Sequence, residues 1–417
     1  MQNNSKRQVA VTGIGIISSI GITPAEVTES LRLGRSGIVL DEARKSLGFR
    51  SALTGKVKEL KPADYGLDRK ALKTMGQPAL YGCCAASDAI KDAALTPELR
   101  GSGRCGVVFG NDSCISAAVE AVDTLRREKE THFIGSGSVF QGMNSTVTMN
   151  LGSRFGIRGA NWTLSAACAS GAHAVGQGLM LIRSGLQDIV IAGGAQETGL
   201  ESMAAFDALN AFSVQEDAPQ KASRPFDKGR SGLVPSGGGA CLVLEDLAHA
   251  LRRGARVHAV ISGYGFSSDG AHLSLPSSEG SERAVRHALA DAGLAPEMIN
   301  YINAHATSTP AGDAAEAKMI ARVFGTSVPV SSTKSMTGHE CWMAGASELV
   351  YCILMAKGGF IAPNINFEEA DPECAGINVV REARPAKLRH VLSDSFGFGG
   401  TNAAIILDLE PDLPGGI

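Results

Sequence analysis

The chain repeats itself, and that repeat limits its possible folds more than any other feature. Residues 11–19, VTGIGIISS, have a counterpart at 261–269, ISGYGFSSD, with Gly13 and Gly15 in register with Gly263 and Gly265. Residues 168–185, CASGAHAVGQGLMLIRSG, match 342–359, WMAGASELVYCILMAKGG, which aligns Gly171 with Gly345, Ala172 with Ala346 and Arg183 with Lys357. Two matches in the same order indicate a duplicated architecture. Each half opens on a β-branched strand ending in Gly-x-Gly. Each later carries a small-residue helix followed by another strand-like run, DIVIAGGA in one half and HVLSDSFGFGG in the other. Continuous apolar strands alternating with helices argue for sheets buried on both faces. The expected fold is therefore α/β, with halves at 1–255 and 256–417 stacked as five layers, α/β/α/β/α, and the small-residue helices in the middle.

Bulk properties exclude several classes of function. At 417 residues the chain exceeds the roughly 250–300 that a single core supports, in keeping with two halves. A net charge of −3 supplies no field for nucleic acid. No apolar run approaches the ~18 residues of a membrane span, and QVAVTGIG enters a strand pattern so early that no signal peptide is expected. A cytoplasmic, non-membrane protein is expected. The nine cysteines (Cys83, Cys84, Cys105, Cys114, Cys168, Cys241, Cys341, Cys352 and Cys374) are odd in number and lack CxxC spacing, so they read as reduced, mostly buried thiols with no metal site. The Gly-x-Gly at 13–15 is not a dinucleotide loop, because Ser18 stands where a third glycine belongs and no helix pattern follows at once.

One stretch does carry chemistry. TLSAACASGAHAVGQG, residues 163–178, sets Cys168 among alanines, serines and glycines at the start of a helix pattern. Tight helix packing accounts for Gly171 and Ala172 but not for the thiol. A cysteine at a helix N-terminus feels the positive end of the dipole, and such sites lower a thiol to a pKa of roughly 3.5–7.5, so a thiolate is expected at Cys168. Three polar segments join it: NAHATSTPAGD (303–313), SSTKSMTGHECWMAGASE (331–348) and SDSFGFGGTNA (393–403). Each follows a short strand run, and loops after the carboxyl ends of strands in an α/β layout share one face. They are expected to bring two imidazoles, a lysine, a carboxylate and a glycine-rich loop to the Cys168 helix.

These motifs, in this order and over nearly the whole chain, resemble the β-ketoacyl-acyl-carrier-protein synthases of the thiolase superfamily, in the Cys-His-His branch typified by synthases I and II. The resemblance implies a thiolase-like fold and decarboxylative Claisen condensation between an acyl thioester on Cys168 and malonyl carrier protein, in fatty-acid or polyene-type elongation. It implies His305 and His339 as donors to the thioester oxygen, with Lys334 and Glu348 as a buried pair supporting them. Further implied are an oxyanion hole from the amides of Cys168 and Phe398, and Phe396 as a gate. Thr307 and Thr309 would then bind the phosphopantetheine arm. No cofactor is implied beyond that arm of the acyl carrier protein. Arg69, Lys70 and Lys73 in LDRKALK match the family's docking helix for this acidic partner; Arg126, Arg127 and Lys129 in LRREK form a second basic cluster. A homodimer is implied, with a heterodimer with a related subunit left open.

The chain also departs from the family pattern. Where relatives have small residues after the second histidine, it reads GHECWMAG and places Trp342 at a glycine-sized position. FGNDSC replaces a glycine-rich segment, and Asp394 stands where asparagine is usual. None of these removes a catalytic group, so activity is expected while acyl chain length and pathway stay open. Trp342 is expected to shape either the acyl space or the helix packing. A thiolase would carry a second cysteine where this chain has Phe398, a synthase III would have asparagine in place of His339, and a non-catalytic chain-length subunit would lack Cys168.

Overall fold

The computed structural model describes residues 6–412. Its main sheet has eleven strands. They are β1 (Val9–Ile17), β2 (Cys105–Gly110), β3 (Asn161–Leu164), β4 (Ile189–Gln196), β5 (Gly238–Asp246), β6 (Ala259–Ser268), β7 (Tyr301–Asn303), β8 (Pro329–Ser331), β9 (Asn378–Val379), β10 (His390–Gly397) and β11 (Thr401–Asp408). The order is β9-β8-β7-β10-β11-β6-β1-β5-β4-β2-β3. From β1 outward the first half runs β1-β5-β4-β2-β3. From β6 outward the second runs β6-β11-β10-β7-β8, the same order with the same mix of parallel and antiparallel pairs. The duplication read from short motifs thus extends to the whole topology, with β9 added at one edge.

The expected pair of sheets is joined into one. β1 and β6 pair antiparallel, Val9 with Ile261, Ala10 with Val260 and Val11 with Ala259, so the repeated strands meet across a local two-fold. Six helices complete the layers: α1 (Gln77–Asp92), α2 (Thr146–Phe155), α3 (Ser170–Arg183), α4 (Ser278–Ala292), α5 (Pro310–Phe324) and α6 (Ala344–Gly358). α1 covers the outer face of β1 and β5, and α4 that of β6 and β11. α3 and α6 pack together and touch strands of both halves, so the sheet bends around them and they form the middle layer.

The paired glycines serve this packing. A Cβ on Gly13 or Gly15 would lie 2.2 or 1.9 Å from the carbonyl oxygens of Ala89 and Ala85 in α1, and one on Gly263 or Gly265 would lie 2.2 or 2.0 Å from those of Ala288 and Ala284 in α4. Gly-x-Gly therefore admits an outer helix to the strand backbone rather than binding a dinucleotide. The middle helices use the same device: Gly345 faces Ala172, and Gly171 faces Ala346. α6 is buried on all sides from Ala344 to Met355 and, apart from Ser347, Glu348 and the Tyr351 hydroxyl, is apolar there.

Candidate active site

Cys168 lies one step ahead of the helix proper, in a 3-10 turn, Ala167–Ala169, that leads into α3. Ala167 is left-handed, with φ +45°, a strained backbone that aims the next side chain out of the helix line. The repeat preserves this kink: Cys341, at φ +42°, precedes Trp342 at the start of α6. The Ala167 amide donates to Asp112 Oδ2 at 3.0 Å, and the Ser170 hydroxyl closes the turn on the Ala167 carbonyl at 2.7 Å. Asp112 lies in the FGNDSC departure, whose positioning role was not legible from the sequence.

The polar segments converge as expected. One ligating atom each from Cys168, His305 and His339 lies within 4.8 Å of the other two, a spacing from which the three could also bridge a metal ion. The imidazole rings sit edge to face with centroids 5.3 Å apart. His305 is fixed through its backbone, whose N–H donates to Glu316 Oε1 at 2.8 Å and Asp394 Oδ1 at 2.9 Å. His339 follows Gly338, which is left-handed at φ +73°, and its N–H and carbonyl bond to the chain at Val234 and Ser236. Both ring nitrogens of His339 and Nδ1 of His305 are buried without a protein partner. Burial, then the Lys334 charge, holds both imidazoles well below their usual pKa, so they are neutral near pH 7.

Lys334 and Glu348 are not a surface pair: both are almost fully buried, and Lys334 Nζ donates to Glu348 Oε1. Burial raises the Glu348 carboxyl to about 8, with Lys334 opposing. A deeper acidic pair is less legible. Glu316, on α5, and Asp394, on β10, hydrogen-bond to each other; burial raises Asp394 to about 6, and burial together with the Asp394 charge lifts Glu316 well above the usual range. Asp313, which ends the NAHATSTPAGD segment, positions a loop in a way that its neighbours in sequence do not mark. Its Oδ1 accepts the amides of Thr307 and Thr309 at 3.0 and 3.2 Å, fixing the loop that presents those hydroxyls.

The expected thiolate at Cys168 is not what the site holds at rest. Burial pushes the thiol up to about 12, while Lys334 and the backbone N–H groups of Phe398 and Cys168 oppose it. The half-turn of the dipole is outweighed by desolvation of a residue only 7% exposed. Those two N–H groups lie close enough to the sulfur to favour its charged form, and a carbonyl carbon bonded to that sulfur would hold its oxygen near them. Gly397 lets their loop approach, since a Cβ there would lie 2.8 Å from the Ala166 carbonyl oxygen.

A cavity of about 390 Å³ reaches Cys168, His305 and His339. Thr307, Thr309, Phe396 and Phe398 line it, as do Phe206, Leu273, Leu275 and Cys341, which sequence reasoning did not assign to the site. Phe396 stands edge-on to His305 at 5.7 Å, and Phe398 stacks on Phe206 at 6.3 Å. Arg69, Lys70 and Lys73 are not in the cavity. They are exposed on the short Arg69–Leu72 helix and its C-cap, and none is ion-paired among the described residues. Arg126 and Arg127 pair locally with Asp123 and Glu128, so that second cluster is partly neutralised.

Comparison with known proteins gives the same picture. Models of the beta-ketoacyl synthase N-terminal and C-terminal domains match residues 6–250 and 258–368. The 3-oxoacyl-[acyl-carrier-protein] synthase 1 of Haemophilus influenzae is 44% identical over 96% of this chain and 98% of its own. A beta-ketoacyl synthase of Burkholderia phymatum superposes with a TM-score of 0.92 at 36% identity, covering 97% of this chain and all of its own. A type II polyketide ketosynthase solved in complex with its acyl-carrier protein and bound to the hexaketide superposes at 0.86 with 29% identity, covering 97% of this chain and 100% of that one.

Proposed function

The chain belongs to the β-ketoacyl synthase family, and on that premise we propose that it is a 3-oxoacyl-acyl-carrier-protein synthase in which Cys168 carries the acyl group and His305 and His339 direct decarboxylation. The observation that carries this reading is the meeting of one thiol and two neutral, unpartnered imidazoles in one cavity under the Phe398 amide. An acyl thioester enters and the Cys168 sulfur attacks its carbonyl. The amides of Phe398 and Cys168 hold the oxyanion, and the thiol proton leaves with the departing carrier thiol. Each such donor is worth about 10²- to 10³-fold in rate.

Malonyl thioester then takes the vacated place. The imidazole N–H groups stabilise negative charge on its carbonyl oxygen as the carboxylate leaves as CO₂, and the resulting carbanion attacks the acyl-Cys168 carbonyl. The carbon–carbon bond forms as the carbon–sulfur bond breaks, returning the thiolate, which takes up a proton. Neutral donors suit this role, because a protonated imidazole would not survive this burial. Lys334 and Glu348 fix the field behind the histidines as positioning residues. The chemistry asks for no metal or cofactor beyond the phosphopantetheine arm, whose amides Thr307 and Thr309 are placed to meet, with Phe396 gating the route past His305.

The acyl carrier protein is the partner, docking on Arg69, Lys70 and Lys73, three exposed cations suited to an acidic protein. The protein acts in the cytoplasm; among the described residues no helix is long and apolar enough to cross a membrane. A dimer, with a second copy or with a related subunit, is favoured by the edge strand β3 with its half-exposed Trp162, and by Val119, Val122 and Leu125 exposed on the Ser116–Glu128 helix. Reconstitution with acyl and malonyl carrier proteins tests the reading. Formation of 3-oxoacyl product with release of CO₂ supports it; absence of product with every acyl donor removes it.

A further inference from the structure

The nucleophile has two unlike sides. One opens into the cavity that Thr307, Thr309, Phe396 and Phe398 line. The other meets a small apolar cluster in which Cys168 packs with Cys341 and Trp342, against Ala167 and Phe206; Cys341 and Phe206 also reach the cavity, whereas Trp342 does not. Trp342 is 4% exposed and does not line the cavity, so its indole fills space outside the cavity in the cluster that packs on Cys168. Phe206 links the two sides, its ring 6.0 Å from Trp342, 6.3 Å from Phe398 and 6.3 Å from Phe212.

The indole is held there by its backbone. Cys341 at φ +42° sets the kink, and the Trp342 carbonyl oxygen lies only 3.0 Å from where a Cβ of Gly171 would be and 2.7 Å from that of Gly194. The main chain at 342 is therefore clamped between α3 and β4 and cannot shift to make room. An acyl chain on Cys168 must lie either in the cavity, which the incoming thioester also needs, or beyond the sulfur, where a side chain contributing ~150–250 Å² of surface already sits.

We propose that Trp342 is the residue that sets acyl chain length, filling the space behind Cys168 so that only short acyl groups load productively. The proposal rests on the acyl-transfer reading above and adds the substrate class to it. Because a single methylene in an apolar pocket is worth about 10- to 200-fold in selectivity, one indole suffices to divide short donors from long ones.

The test is loading of Cys168, read by intact mass, from acetyl, hexanoyl and dodecanoyl carrier protein. The wild-type protein should load acetyl or hexanoyl at least about tenfold faster than dodecanoyl. Trp342→Gly, or Trp342→Leu where the larger cavity prevents folding, should narrow or reverse that ratio by a similar factor. Equal wild-type loading of acetyl and dodecanoyl overturns the proposal. So does an unchanged ranking in a folded variant, which would make Trp342 a packing residue only. Failure of any donor to load Cys168 would overturn the acyl-transfer reading itself, and the proposal with it.

Discussion

Asp92 and Asp291 occupy the same place in the two halves: each accepts a 3.0 Å hydrogen bond from the amide of the residue between the paired glycines, Ile14 in one half and Tyr264 in the other. Each also faces the cation that ends the other half's buried helix. Arg183 of α3 reaches Asp291 at 2.6 Å, and Lys357 of α6 lies in the field of Asp92. The pseudo-two-fold thus repeats charges as well as glycines, and it ties α3 to α4 and α6 to α1. The two copies differ in strength. Lys357 is exposed and makes no ion pair among the described residues, whereas Asp291 pairs with Arg183 and also takes a 2.7 Å bond from Lys6.

Asp291→Ala should therefore cost roughly 1.5–3 kcal/mol of stability in denaturant unfolding, since it strips a charged partner from the part-buried Arg183 and an acceptor from Tyr264. Lys357→Met should cost less, because Lys357 is exposed and makes no ion pair among the described residues. Burial raises Asp291, yet its bonds to Lys6 and Arg183 leave it below the usual carboxylate range. Its contribution is present above about pH 4 and lost as pH falls through its lowered value. Equal losses for the two variants would show that the halves are not differently tied.

Cys168 and Cys341 line the cavity and the other seven cysteines do not, so iodoacetamide should modify Cys168 first, with Cys341 next, as read by peptide mapping. With the Cys168 thiol held up at about 12, its alkylation rate should keep climbing about tenfold per pH unit past pH 9, instead of levelling near the ordinary thiol value of about 8.5. Early levelling would mean that the resting site holds a thiolate. First labelling at Cys83, with activity kept, would remove Cys168 as nucleophile.

His305→Ala or His339→Ala should lose about 10²- to 10⁴-fold in condensation and malonyl decarboxylation while Cys168 still loads an acyl group, because the amides of Phe398 and Cys168 remain. Both imidazoles are held well below 6.5, so the wild-type rate should show no acid limb as pH falls from about 7 to 6. Condensation at the wild-type rate in either variant would leave that histidine a structural part only.

Much of this was legible because repetition and small polar loops leave marks in sequence. Gly13 and Gly263, Cys168, His305, His339 and the 393–403 loop could each be placed from neighbours a few residues away. The resting thiol could not, because its state depends on burial by Phe206 and by the adjacent Cys341 and Trp342, which come from two distant segments. The support beneath His305 was hidden for the same reason: Glu316 and Asp394 are far apart in sequence and meet only when α5 packs against β10. Asp394 stood out as a departure, but nothing local named its partner.

That partner makes Asp394 the source of the last prediction. Two buried carboxyls in hydrogen-bond contact cannot both ionise cheaply, and here they share the His305 amide as donor. Burial raises Asp394 from 3.8 to about 6 on folding, so its native form binds a proton more tightly than the unfolded chain does. The stability it contributes is complete below about pH 4 and lost as pH rises through about 6. Asp394→Asn keeps an oxygen for the His305 N–H, adds an N–H₂ donor for Glu316 and removes the titrating group. The variant should thus lose less stability than the wild type between pH 5 and pH 8, by on the order of 1–2 kcal/mol in guanidinium midpoints, and should still load Cys168. An identical pH slope in the two proteins would show that the shared proton does not reside on the Glu316–Asp394 pair.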